Sequence, residues 1–282
     1  MTENKHVLLS VLAHPDDESF GMGGTLALYA KKGVEVHLIC ATRGEAGEVG
    51  PEYLKGYQSI SDLREAELKC ASVHLGLTEV HFLDYRDSGM TGSPDNDHPS
   101  ALCQAPMEEV AAKIAEMIRE IKPQVVLTFD PVGGYYHPDH IAIHKATEAA
   151  FHLAGEQDFK TQLPPFKPEK LYYHTISRRF IRTAVQLIRM FGRDPKQWGE
   201  NKDIDLTLLA ADDFPVHAMI NYNAVEDRKQ AASFCHASQG GAGLAKGPLS
   251  WVYRFLSRKD QFMRAYPPPR PGAQETDLFE GI

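Results

Sequence analysis

The sequence predicts an α/β protein: a Rossmann-like, mostly parallel sheet with helices on both faces and its chemistry at the carboxyl ends of the strands. Three observations lead there. Short runs of branched apolar residues recur along the first half of the chain and alternate with stretches of helical periodicity. Glycine or proline punctuates the joins. Two of the apolar runs empty directly into histidine–aspartate clusters, Ala13-His14-Pro15-Asp16-Asp17-Glu18 and His137-Pro138-Asp139-His140.

The first strand is Val7 to Ala13, followed by Gly21-Met22-Gly23-Gly24 and a helix over Thr25 to Lys32 that Gly33 stops. The glycines do not fit the dinucleotide pattern G-x-G-x-x-G, and the intervening carboxylates would repel a pyrophosphate. Strand two, Val34 to Ala41, leads into the glycine-rich loop Thr42-Arg43-Gly44-Glu45-Ala46-Gly47. A helix begins near Ser61, with Asp62 and Glu65 spaced as in a capping box, and closes at Gly76. Strand three, Glu79 to Tyr85, gives way to a long loop reaching Ala105, a length that points to a site. Pro106 opens the helix Met107 to Ile121, whose apolar stripe is core. Strand four, Gln124 to Phe129, precedes the second histidine cluster, and Ile141 to Leu153 continues as a helix.

Further on, Leu163 to Pro168 reads as a linker, Leu171 to Ile176 as a strand and Arg178 to Phe191 as a helix. Asp203 to Ala210 and Val216 to Ile220 fit strands, Ala224 to His236 a helix, and Asp277-Leu278-Phe279 a docking tail. The organisation expected is one domain over 1–282, with a Rossmann-like core over 1–153 and pocket and tail elaborations over 154–282.

Composition narrows the functional classes. The 282 residues are 43% hydrophobic with a net charge of −8, so nucleic acid is not an expected partner. No apolar run is long enough to cross a bilayer, and no membrane partner is expected. The four cysteines lie singly with no C-x-x-C pair, which predicts a reduced, cytoplasmic chain without disulfides. A homo-oligomer is compatible with all of this.

Crowded carboxylates beside an imidazole at a buried strand end call for a cation. If strand four neighbours strand one, the two clusters open onto the same crevice. His14, Asp17 and His140 then offer two imidazoles and one carboxylate, the donor set of a catalytic zinc site, with Fe2+ or another divalent cation as alternatives. Asp16, next to a ligand but turned the other way, is placed to take a proton from water. His137 stands beside the metal to stabilise an oxyanion or protonate a leaving amine, with Asp139 holding its ring and Tyr135 as a second donor. Glu18 serves either the ligands or the helix start. Arg43 fits a surface ion pair as well as a ligand contact, Asp87 a functional role ahead of a turn before Gly89, and His236 a helix C-terminus. His37, His74, His81, His152 and His174 read as structural. Two rival readings use the same residues: an Fe(II) oxygenase, which predicts an all-β jelly roll, and a catalytically silent sugar- or nucleotide-binding module.

These motifs resemble those of the LmbE-like, or PIG-L, zinc-dependent de-N-acetylases. Thr42 to Gly47, Tyr85-Arg86-Asp87-Ser88-Gly89-Met90 and His236-Ala237-Ser238-Gln239 are similar as well. The resemblance implies His14, Asp17 and His140 as zinc ligands and Asp16 as general base. It implies His137, assisted by Tyr135, as electrostatic partner, and Arg43 and Asp87 as contacts to sugar hydroxyls. The implied activity is hydrolysis of the N-acetyl group of a small acetylated amino sugar to acetate and a free amine.

Overall fold

The computed structural model describes residues 5–176, 178–197, 205–211, 213–241, 258–270, 272 and 274–282. Among them, seven strands form one sheet in the order β3-β2-β1-β4-β5-β7-β6. These are β1 (Val7–Leu12), β2 (Glu35–Cys40), β3 (Glu79–Phe82), β4 (Val125–Phe129), β5 (Lys170–Thr175), β6 (Ala218–Asn221) and β7 (Lys259–Tyr266). The first five are mutually parallel, and β7 runs antiparallel to both β5 and β6. Every residue of β1 and β4 is buried, as a strand covered on both faces requires. The helix-alternating sheet is no jelly roll, which removes the fold that an oxygenase reading needs.

The chain crosses from β3 back over β1 to β4, so the strand order reverses between β1 and β4. At such a reversal the loops beyond both strands diverge and leave a crevice. Helices α1 (Gly23–Lys31), α2 (Ile60–Leu75) and α8 (Glu226–Cys235) pack together in one layer, and α3 (Met107–Ile121) and α5 (Pro138–Leu153) in the other. Two further helices, α6 (Arg178–Met190) and the one-turn α7 (Leu206–Leu209), pack Ile181, Val185, Leu206 and Leu209 against Tyr135 and Tyr136 of the single irregular turn α4 (Gly133–Tyr136). They therefore wall one side of the crevice.

Several sequence expectations need correction. Helix α2 is capped by Ser59, whose Oγ accepts from Asp62 N at 3.1 Å, so Asp62 and Glu65 do not form the expected capping box. Residues 206–209 are helical, with Asp205 as the cap, where a strand was expected; 203 and 204 lie outside the described residues. Helix α5 starts at Pro138, because His137 caps it and proline is tolerated in a first turn. Strand β7 was unforeseen: Lys259, Asp260, Gln261 and Arg264 mask its pattern, yet Phe262 is wholly buried. The expectation of no disulfide is overturned, since Cys70 and Cys235 are bonded, with 5.8 Å between their Cα atoms. They are 165 residues apart and meet only because α2 packs on α8, so no local spacing announces them. The tail docks as expected, with Leu278 buried and its N–H donating to Tyr29 Oη at 2.6 Å. No described helix is long and apolar enough to cross a membrane.

Candidate metal centre

The crevice between β1 and β4 gathers nearly all the predicted site residues. His14 stands two residues beyond β1, and His140 lies in the first turn of α5. His14 Nδ1 is 3.2 Å from His140 Nε2, and His140 Nε2 is 3.2 Å from Asp17 Oδ1. Asp17 Oδ2 is 3.5 Å from His14 Nδ1. Ligands held tetrahedrally at ~2.0–2.1 Å from zinc stand about 3.3–3.4 Å apart, so the two imidazoles stand at zinc-ligand spacing from each other and each from one oxygen of Asp17.

Hydrogen bonds on the far side of each ring assign the tautomers that such a site needs. His140 Nδ1 faces the carbonyl of Gly133 at 3.1 Å, which places its proton there and leaves Nε2 with a lone pair. His14 Nε2 lies 3.1 Å from Asp139 Oδ2 and 3.3 Å from Asp87 Oδ1, which leaves Nδ1 free to ligate. Asp139 is itself held by Ser88, through N at 2.9 Å and Oγ at 2.5 Å. Asp87 accepts from Gly89 N at 2.8 Å, and its own N–H donates to Glu45 at 3.0 Å. A side chain at Gly133, where φ is +63°, would place Cβ 2.7 Å from that of His140, so only glycine lets the strand-end loop come this close.

The electrostatics favour a cation. Burial alone would lower the pKa of His14, but Asp87, Asp139 and Asp17 raise it well above the ordinary value. Burial would likewise raise Asp17, but His140 and His14 hold it well below the carboxylate range. Three carboxylates thus lean on two imidazoles, an excess of negative charge that a divalent ion neutralises.

Asp16 is raised to about 6, by burial first, against the pull of Arg64. Its Oδ2 accepts from Arg64 Nη2 at 2.9 Å. His137 is pushed well below its ordinary pKa by burial and by the neighbouring His14 and His140, so it is neutral. Its Nδ1 accepts from Asp139 N at 3.2 Å, which leaves Nε2–H as a donor. Asp139 therefore orients His14 rather than the His137 ring. Tyr135 stacks edge-on to His140 with centroids 4.9 Å apart, and burial raises its phenol far above the usual value.

Arg43 is placed differently from the rest. Its guanidinium pairs with Glu65 and Asp84 and lies over the Phe82 ring, 4.4 Å from its centroid. At the centre, Arg64 and the pairing of Glu18 with His236 went unread in the sequence. Arg64, 3% exposed in the middle of α2, looks like a surface helix residue. Glu18 and His236 are both fully buried and paired at 2.7 Å. The one available signal for Arg64 was the loop Thr42 to Gly47: a Cβ on Gly44, at φ +71°, would sit 2.2 Å from its guanidinium.

A family model described as PIG-L: GlcNAc-PI de-N-acetylase matches residues 9–151. A Streptomyces scabiei protein named 1D-myo-inositol 2-acetamido-2-deoxy-alpha-D-glucopyranoside deacetylase is 35% identical over 298 residues, covering 98% of this chain and 90% of its own. A protein of the same name from Acidothermus cellulolyticus is 35% identical over 290 residues, covering 98% and 94%. Among solved structures, a conserved protein from Thermus thermophilus, TT1542, matches with a TM-score of 0.60 and 25% identity, covering 93% of this chain and 95% of that one.

Proposed function

The chain belongs to the PIG-L family, and from that membership and the centre's geometry we propose that it is a zinc-dependent hydrolase removing acetyl from an N-acetylglucosaminide. The relatives' names make a GlcNAc-inositol the first substrate to try. The observation that carries the reading is the triangle of His14 Nδ1, His140 Nε2 and Asp17, at zinc-ligand spacing with both tautomers set. We read 1–282 as one catalytic domain, because β5, β6 and β7 extend the sheet that builds the crevice.

His14, Asp17 and His140 would hold the zinc, which would supply Lewis acidity to the acetamide carbonyl and to a water. Asp16 takes the proton from the attacking water, a role suited to a carboxylate whose pKa burial has raised towards neutrality. His137, neutral and with Nε2–H free to donate, meets the carbonyl oxygen as negative charge develops on it. Tyr135, its phenol held protonated, is the second donor. The proton gathered by Asp16 is then available to the departing amine, so water and amide become acetate and amine. Asp139 fixes the His14 ring. Asp87, beside His14, is our candidate contact for a sugar hydroxyl next to the acetamide, whereas Arg43 would have to leave Glu65 and Asp84 to reach one.

The test is amine release from a GlcNAc-inositol by zinc-loaded wild type, Asp16→Asn and His140→Ala. Asp16→Asn is expected to bind zinc and lose about 10²–10⁴ in kcat. His140→Ala is expected to lose zinc and activity together. Equal rates in all three would overturn the assignment.

A further inference from the structure

Glu18 and His236 lie 218 residues apart in sequence, and neither is exposed to solvent. His236 Nε2 donates to Glu18 Oε1 at 2.7 Å, and Ser19 Oγ donates to the same oxygen at 2.5 Å. The other oxygen, Oε2, accepts the backbone N–H of Asp16 at 3.0 Å. No step of the chemistry above uses either side chain. Nor is stability a sufficient reason for the pair, since well-packed apolar residues often serve a core as well or better than a buried ion pair.

Asp16 supplies the reason. It sits at φ +138°, a conformation that a non-glycine residue holds only when its surroundings over-determine it. The two peptide groups flanking it are both pinned. In the one before, Pro15 C=O accepts from Arg64 Nη2 at 2.6 Å while Asp16 N–H is held by Glu18. In the one after, Asp16 C=O accepts from Ser19 N at 3.0 Å and Phe20 N at 2.9 Å. The Glu18 carboxylate is thus one of a small set of groups keeping the strained backbone in place.

His236 is anchored in turn. Ser238, two residues on, donates to Glu67 of α2 from N at 2.8 Å and from Oγ at 2.7 Å. Cys235, one residue before, is bonded to Cys70 of α2. The ring spends Nε2 on Glu18, while its buried Nδ1 has no hydrogen-bond partner among the described residues. An imidazole kept for packing alone gains nothing from an unmatched buried nitrogen.

We propose that Glu18 and His236 are a positioning pair for Asp16: the imidazole aims the Glu18 carboxylate, which holds the strained backbone from which Asp16 reaches its proton. Neither touches substrate, and both act through Asp16. The inference rests on Asp16 being the general base.

The experiment measures kcat, KM and zinc content for His236→Ala, His236→Gln and Glu18→Gln, in the wild-type and Asp16→Asn backgrounds. His236→Ala is expected to lower kcat about 10–100-fold, as loss of an orienting partner does, with KM and bound zinc unchanged. His236→Gln, which keeps an N–H for Glu18, is expected to recover most of that loss. In the Asp16→Asn background, His236→Ala is expected to cost nothing further. Glu18→Gln, nearly isosteric, should reproduce the His236→Ala pattern and replaces it if that variant fails to fold. Wild-type kcat per zinc-loaded molecule in His236→Ala or Glu18→Gln, loss of zinc, or a full additional loss beside Asp16→Asn would each overturn the pair's role. Undiminished activity in Asp16→Asn itself would instead sink the reading of the base, so the two failures are distinguishable.

Discussion

Asp16 and Asp17 are neighbours in sequence with the same side chain, and their surroundings divide them. Asp17 is drawn down by His140 and His14, whereas burial pushes Asp16 up to about 6 against the pull of Arg64. A general base works ionised, so kcat/KM should be flat above the Asp16 pKa and fall tenfold per pH unit below it. A cation beside Asp16 favours its charged form, which puts that limb at or below about pH 6. A pH–rate profile that still climbs steeply between pH 7 and 8 would contradict the role. Arg64 invites a second test at this scale. Gly44→Ala would set a Cβ 2.2 Å from the guanidinium, at a backbone φ of +71° that favours glycine. The guanidinium end can shift, so the fold should survive with a loss of more than about 1 kcal/mol. We expect kcat to drop by tenfold or more, since small misplacements of a reacting group are costly. Full activity in the purified variant would show that Arg64 does not hold Asp16.

Helices α2 and α8 form the support under these residues. Arg64 and Glu67 come from α2, His236 and Ser238 from the turn just beyond α8, and the Cys70–Cys235 bond ties the two helices together. A crosslink over so long a stretch of chain restricts the unfolded state, so reducing it, or replacing both cysteines with serine, should cost about 2–4 kcal/mol. The measurement is a urea midpoint with and without reductant. An unchanged midpoint would mean that the packing of α2 on α8 already provides the constraint. On the opposite layer, α5 acts through its first turn alone. His137 caps it and His140 follows one turn on, which brings both rings over the crevice with centroids 4.9 Å apart.

Across the whole molecule, the parts legible in the sequence were those written into local pattern. His14, Asp16, Asp17 and His140 could be read because each cluster follows a short apolar strand, and a parallel sheet sends such strand ends to one edge. Arg64, Glu18 with His236, and the Cys70–Cys235 bond could not, because each depends on packing between elements far apart in the chain. Strand β7 was hidden by its charges, and the helix at 206–209 by being too short to show a period. Function then depends on two loops, more than a hundred residues apart, sharing one ion. Anomalous diffraction at the zinc edge from crystals grown with zinc tests it directly. A peak is expected ~2.0–2.2 Å from His14 Nδ1, His140 Nε2 and an Asp17 oxygen. A peak elsewhere, or one bound to His14 through Nε2, would contradict it.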